Sequence, residues 1–229
     1  MNASLGGATL AENVSKEISR LKRVSSAGCC VRMEVGEADG ALLYLRAVPD
    51  DLDAGGSDAP ELISAWRNAN SRCFFTWVET TPGSTRKWLD ENYCRNDFDV
   101  LFIVETVAKR PFGHVALYNF DFDSRVCELG RVVRGESLGP RGGMARAVKR
   151  LVEWAFQDLH MLAVHLEVFE DNEPAVRFYR CCGFSIESRS SLRPVRQDGV
   201  TRWIPVVAGG TVSRTAEKSR IRMVRRRWA

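Results

Sequence analysis

The sequence predicts one α/β (α+β) domain, with a mixed central sheet of six to seven strands flanked by about four helices. Three observations carry this. Alternating, β-rich runs crowd residues 99–133. A strand–helix–strand–helix–strand order follows them. The length, 229 residues, suits one domain with a sizeable core and hardly two.

Residues 1–40 have weak periodicity and glycine punctuation, and are expected to form a leader. ALLYLRAV (41–48) alternates apolar and polar residues as a strand does. In PDDLDAGGSDAPELISAWRNA, acidic residues and a proline precede Leu62, Ile63 and Trp66, which marks a helix start. TPGSTRKWLDENY predicts a second helix, capped by Ser84 or Thr85. DVLFIVET (99–106), GHVALYNFD (113–121) and SRVCELGRVV (124–133) are three strands separated by short turns, an antiparallel meander.

The strongest helical pattern comes next. Met144, Val148, Leu151, Val152, Ala155, Phe156 and Leu159 recur at helical spacing, with Arg146, Lys149, Arg150, Glu153 and Gln157 opposite them. HMLAVHLEVF (160–169) is apolar enough for the middle of a sheet. A short helix then starts at Asp171 or Asn172 and stops at Gly183. FSIESRSSLRPV and RQDGVTRWIPVV predict a hairpin about a DG turn, and SRIRMVRR alternates as a last strand would. The expected division is a leader to residue 40, a domain over 41–207, and a basic segment over 208–229.

Composition removes several classes. No apolar run reaches the ~20 residues of a membrane span, and the N-terminus lacks the order of a secretory signal. Seven cysteines show no CxxC spacing and no Cys/His cluster, so reduced thiols in a cytoplasm and no metal are expected. The net charge is +4, yet Arg214, Lys218, Arg220, Arg222, Arg225, Arg226 and Arg227 face only Glu217 in the tail. Such a tail suits nucleic acid or another anion, but a solvated terminus or exposed strand is the expectation, with no nucleic-acid partner.

Two motifs bear chemistry. RGESLGPRGGMA (134–145) places Gly135, Gly139, Gly142 and Gly143 between a strand and a helix start. Its amides, the helix N-terminus, Arg134 and Arg141 suit a pyrophosphate. EDNEPAVRFYRCCGF (170–184) puts Asn172 and Tyr179 about two helical turns apart, on one face.

Strand, glycine-rich loop, amphipathic helix, apolar strand and then Asn172, Ala175, Phe178, Tyr179, Gly183 and Phe184 form an ordered set. With it, the chain from about Leu42 to Phe184 resembles the GNAT superfamily of acetyl-CoA-dependent N-acetyltransferases. The resemblance implies direct acetyl transfer in a ternary complex. It implies that Val132 and Val133 pair by backbone with the pantetheine arm and that amides of residues 141–145, Met144 and Ala145 among them, hold the pyrophosphate. It further implies that Asn172, Ala175 and Phe178 line the CoA arm and that Tyr179 is the general acid for the thiolate. Phe178 also reads simply as packing. The chain departs from the family loop, Arg/Gln-x-x-Gly-x-Gly/Ala. A register ending at Ala145 puts Pro140 at the Arg position, and ESLGP is additional.

For deprotonating the amine, the resemblance points to Glu128, for which an ion pair with Arg131 or another cation is the alternative reading. His114, Asp121 and Glu136 rank below it, and His165 and Glu167 are expected to be core or rim residues. CELGRVVRGE looks like the branch acting on nucleotide-linked amino sugars, and Arg193, Arg196, Arg202 and Trp203 could grip a nucleoside diphosphate. Trp66, Arg67, Phe74, Phe75 and Trp77 would shape the acceptor site. A ribosomal-protein N-terminal acetyltransferase, an aminoglycoside acetyltransferase and a silent acyl-CoA-binding module are the alternatives, and a homodimer stays open.

Overall fold

The computed structural model describes residues 9–24, 30–38, 41–54, 56–136, 139–206 and 218–228. In chain order the elements are α1 (Leu10–Lys22), β1 (Arg32–Ala38), β2 (Ala41–Ala47), α2 (Ala59–Ala69), a 3-10 turn (Ser71–Cys73) and β3 (Thr76–Trp77). Then come α3 (Pro82–Trp88), a π-helical turn (Leu89–Tyr93), β4 (Val100–Thr106), β5 (Pro111–Asp121) and β6 (Val126–Arg134). The rest is α4 (Gly143–Gln157), β7 (Ala163–Phe169), α5 (Glu173–Cys181), β8 (Ser185–Gln197), β9 (Val200–Pro205) and β10 (Lys218–Arg226).

All ten strands join one sheet in the order β1-β2-β4-β5-β6-β7-β10-β8-β9-β3. Among the described residues its only parallel pair is β6–β7. The expectation of six to seven strands falls short, and the two strands with no predicted counterpart, β1 and the short β3, stand at the two ends of the sheet. Five helices flank the sheet, not about four. The DG turn is as expected: Asp198 and Gly199 both have positive φ, as a two-residue type I′ hairpin requires.

Each face of the sheet buries its own core. Val164, Leu166 and Val168 of β7, with Cys127 and Leu129 of β6, pack under α4, α5 and α1. On the opposite face Ala116 and Val133 lie beneath Ile63 and Trp66 of α2 and Leu89 and Tyr93 of the π-turn. This alternation along β6 and β7 is the period-2 consequence of a strand covered on both sides.

Three local differences have physical causes. Helix α3 is capped by Thr81, whose hydroxyl accepts from the Ser84 amide while Ser84 returns a bond to the Thr81 amide. Pro82 fixes the helix start there, so Ser84 is the partner of the cap and Thr85 a buried helical residue. The run from His160 begins as a turn, with His160 at φ 55, before β7 starts at Ala163. Within the region read as a leader, Thr9 caps α1, and Val14, Ile18 and Leu21 enter the α4–α5 core.

Strand β10 lies inside the sheet, between β7 and β8. Ile221, Met223 and Val224 are buried, and the cations that alternate with them are paired. Lys218 meets Asp171, Arg220 meets Glu167, and Arg222 and Arg226 share Glu187, while Arg225 donates to the Cys182 carbonyl. Much of the tail's charge therefore serves the sheet rather than an external anion.

Ile18 is fully buried, so Ile18→Ala should lower unfolding free energy by about 2–4 kcal/mol. The shift of the denaturant midpoint measures this. A loss below about 0.5 kcal/mol would place α1 outside the cooperative core.

Candidate active site

Strands β6 and β7 are hydrogen-bonded only from Val126–Glu128 to Ala163–His165. Past that point they separate. The cause is a bulge: one extra residue of β6 lies between the pairs His114–Val133 and Ala116–Gly130. Arg131 occupies it at φ 49, a left-handed conformation costing a non-glycine residue about 1–2 kcal/mol. Contacts on every side hold it there. The guanidinium makes two bonds to Asp99, at 2.5 and 2.7 Å, and lies over the rings of Trp88 and Tyr118. The Arg131 carbonyl accepts from His114 Nδ1 at 2.5 Å.

His114 is thus a brace and not a base. Burial pushes its pKa down to about 4, so the ring is neutral, stacked on Trp66, with Nε2 buried and without a protein partner. Asp121 and Glu136 also leave the list of bases. Asp121 closes the β5–β6 turn by accepting from the Asp123 and Ser124 amides. Glu136 accepts from the Trp66 indole. Neither lines the cleft that the splay opens.

That cleft has a volume of about 640 Å³. One wall is the edge of β6 from Glu128 to Arg134, whose backbone has lost its neighbour. The second is the N-terminus of α4, from Gly142 to Ala145, with Gly142 at φ 71 and no side-chain cap. There Gly143 bonds back to Pro140 and Arg146 to Gly142, whereas the Met144 and Ala145 amides have no backbone carbonyl partner among the described residues. The third wall is Asn172, Pro174, Ala175, Phe178 and Tyr179. A strand edge, a helix N-terminus with spare amides and a partly apolar wall fit an acyl-CoA: amide-bearing arm, pyrophosphate and thioester in turn.

Of the sequence-predicted residues, Glu128, Val132, Val133, Arg134, Gly142, Gly143, Met144, Ala145, Asn172, Ala175, Phe178 and Tyr179 line this cleft. Gly139 and Arg141 do not. A Cβ on Gly139 would stand 2.5 Å from the Phe112 ring, so that glycine lets the loop pass over β5. Arg141 is exposed. Asn172 is the cap of α5, its Oδ1 accepting from the Ala175 amide at 3.3 Å, which leaves Nδ2 to donate. The Tyr179 ring packs against Phe178 and Phe184. Burial holds its phenol well above the ordinary range, and the hydroxyl has no protein partner among the described residues.

At the other end, where β6 and β7 meet, Glu128 faces the cleft half-buried. Among the described residues its ion-pair partner is His165 and not Arg131. Its oxygens accept from Tyr118 Oη at 2.9 Å and Asn119 Nδ2 at 2.9 Å, with His165 Nε2 at 3.7 Å. Burial would raise its pKa, but these donors outweigh burial and hold it below the usual carboxylate value. The Tyr118 ring reaches it by crossing Gly130, where any Cβ would come within 2.7 Å of a ring carbon.

The residues around this end were only partly visible in sequence. Arg67, Phe74 and Phe75 line it as expected, together with Asn70, Cys73, Thr76, Tyr118, Arg131 and Glu167. Trp66 lies buried behind, and Trp77 faces solvent. None of Arg193, Arg196, Arg202 or Trp203 lines the cleft. Their hairpin instead closes the sheet, with β9 pairing β3 and Trp203 packing on Phe169. Tyr118 had one signal, its position as the first residue after the buried run of β5.

A family model described as "Acetyltransferase (GNAT) domain" matches residues 43–185. The chain belongs to the GNAT acetyltransferase family: it is an N-acetyltransferase that uses acetyl-CoA. Nothing among curated proteins matches. Among solved structures, spermidine N-acetyltransferase from Vibrio cholerae in complex with CoA and spermine is similar at TM-score 0.60 and 20% identity. The match covers 81% of this chain and 96% of that one. A point mutant of the Vibrio cholerae enzyme matches at TM-score 0.56 and 20% identity, over 79% and 92%. A chimera built on that enzyme gives 0.55 and 20%, over 80% and 93%. At these identities the likeness is one of fold.

His114 binds a proton near pH 4 when folded and near 6.5 when unfolded. Between those values the unfolded chain holds more protons, so stability is complete above about pH 6.5 and falls as pH drops towards 4. The loss should reach about 3 kcal/mol. His114→Gln, which donates but does not titrate, should flatten that acid slope in denaturant titrations. Equal slopes would remove His114 as its source.

Proposed function

We propose that the acceptor is a small polycationic amine of the polyamine class, acetylated on a primary amino group. One observation carries this reading. Glu128 is an ionised carboxylate, half-buried at the inner end of the cleft and held by His165, Asn119 and Tyr118. Among the described residues no lysine or arginine pairs with it, and an ammonium entering the cleft supplies that charge. The aromatic rings of Tyr118, Phe74 and Phe75 around it suit the methylene and ammonium groups of such a chain. The likeness to a spermidine acetyltransferase supports the same class.

A nucleotide-linked amino sugar, suggested by CELGRVVRGE, would bring a diphosphate and needs cations. Those at the acceptor end are committed. Arg131 is held by Asp99, and Arg67 donates to the Thr76 carbonyl while lying over Phe74.

Bound acetyl-CoA supplies the activated acyl group. The chain's own groups do the rest. The β6 edge at Val132 and Val133 receives the arm, the Met144 and Ala145 amides bind phosphate oxygens, and the Asn172 amide group donates to the arm. Glu128 draws the ammonium in and accepts its proton, leaving a neutral nucleophile at the mouth of the splay. Tyr179 keeps its proton at neutral pH because burial disfavours the phenolate, and it gives that proton to the departing sulfur.

Release of thiol from acetyl-CoA, followed against a panel of amines, tests the acceptor. Spermidine and spermine should turn over fastest, while UDP- and dTDP-linked amino sugars, aminoglycosides and N-terminal peptides remain slow. Turnover confined to a nucleotide sugar or a peptide would overturn the reading. With the best amine, Glu128→Gln should reduce kcat/KM about 100-fold or more. Tyr179→Phe should cut kcat about tenfold or more with acetyl-CoA affinity nearly unchanged. Equal losses of affinity and turnover in the Tyr179 variant would assign that ring to packing.

A further inference from the structure

Acetylating an ammonium releases one proton per turnover: the amine loses two, and the departing sulfur takes one. Once the acceptor and cofactor fill the cleft, Glu128 is covered on the side from which its proton came. A second hollow lies on the same sheet face, beyond the Glu128 end of the cleft. It has a volume of about 460 Å³ and is lined by Ser124, Val126, His165, Glu187, Arg222 and Arg226, among others. Glu128 lines the cleft and not this groove, while His165 lines the groove and not the cleft. They are directly paired across β6 and β7, in the last rung before the strands part.

We infer that His165 is a proton-relay residue, carrying the proton from Glu128 out of the closed active site into the second groove. Three observations bear on it. His165 Nε2 stands 3.7 Å from Glu128 Oε2, so a side-chain shift of about 1 Å gives hydrogen-bond length. His165 Nδ1 is buried with no protein partner, so no hydrogen bond among the described residues fixes the ring's second nitrogen. The groove wall also holds Arg222 and Arg226, both paired with Glu187, so charged groups stand beside Val126, Ala163 and Val224 in the lining that His165 shares.

The step balances without a further reactant. The ammonium N–H bond breaks and an O–H bond forms on Glu128. That O–H breaks as Nε2 gains the proton, and the Nδ1 proton passes to water in the groove as the ring turns over. The amine keeps its electron pair for attack on the thioester carbonyl. The neighbouring charges are Glu128 on β6, Glu167 on β7, Glu187 on β8, and Arg222 and Arg226 on β10. His165 was expected from sequence to be a core or rim residue. Its position at the junction of two hollows gives it more to do.

The relay rests on Glu128 receiving the proton, and the test separates the two. Wild type, Glu128→Gln, His165→Gln and His165→Asn would be assayed with acetyl-CoA and the fastest amine of the panel. Each would first be checked by thermal unfolding. Both His165 variants should lose about tenfold in kcat with KM for both substrates unchanged. Millimolar imidazole in the buffer, entering by the groove, should restore part of the loss in those two and none in Glu128→Gln. A structural role cannot produce that rescue. If Glu128→Gln is inactive but the His165 variants match wild type, or lose rate that imidazole does not restore, the relay is overturned alone. An active Glu128→Gln, or a wild type silent towards every amine, overturns the acceptor reading and the relay together.

Discussion

The site depends on a single residue wound the left-handed way. At Arg131 the backbone of β6 turns out of register with β5, and from that point β7 can no longer follow β6. The strain is of the order of 1–2 kcal/mol, and the clamp that holds it is larger: a two-pronged ion pair to Asp99, two aromatic faces, and a short bond from neutral, buried His114. From that bulge follow the exposed edge of β6, the cleft, and the position of Glu128 at its inner end. The two cores on either side of the sheet keep the strands from closing again.

The second organising feature is the central position of β10. A strand with a cation at every second residue would be an unstable inner strand unless each charge found a partner. Here Asp171, Glu167 and Glu187 supply them. The same insertion pushes the β8–β9 hairpin outward, where β9 meets β3 and so ties the segment after α2 to the far end of the sheet. The acceptor end is thereby assembled from chain segments more than 100 residues apart.

The electrostatics of the cleft divide the labour between its ends. At the donor end, unbonded amides at the start of α4 offer partial positive charge to an anion. At the acceptor end a carboxylate is kept ionised by imidazole, amide and hydroxyl donors against the effect of burial. A phenol protected by burial stands on the third wall. These are opposite demands on one continuous hollow, and they are met because β6 passes along its length, carrying Glu128 at one end and leading into the phosphate loop at the other.

The sequence by itself determined the elements whose signals are local. Helical spacing located α4, alternation located β4 to β6, the DG pair located the β8–β9 turn, and the Asn172–Tyr179 block located α5 and the wall it forms. Most of the cofactor-binding and catalytic residues named from sequence consequently line the cleft. Gly139 and Arg141 were misplaced because a glycine-rich loop does not reveal which glycine faces the ligand and which passes a core ring. Tertiary structure alone decided what depends on contacts distant in the chain. It placed the tail inside the sheet, removed the late arginines from the site, made His114 a brace, and set Glu128 between Tyr118, Asn119 and His165. Periodicity along a chain records which face a residue turns to, but a bulge, an ion pair or a cleft depends on which other strand lies opposite, and that is settled only when the sheet assembles.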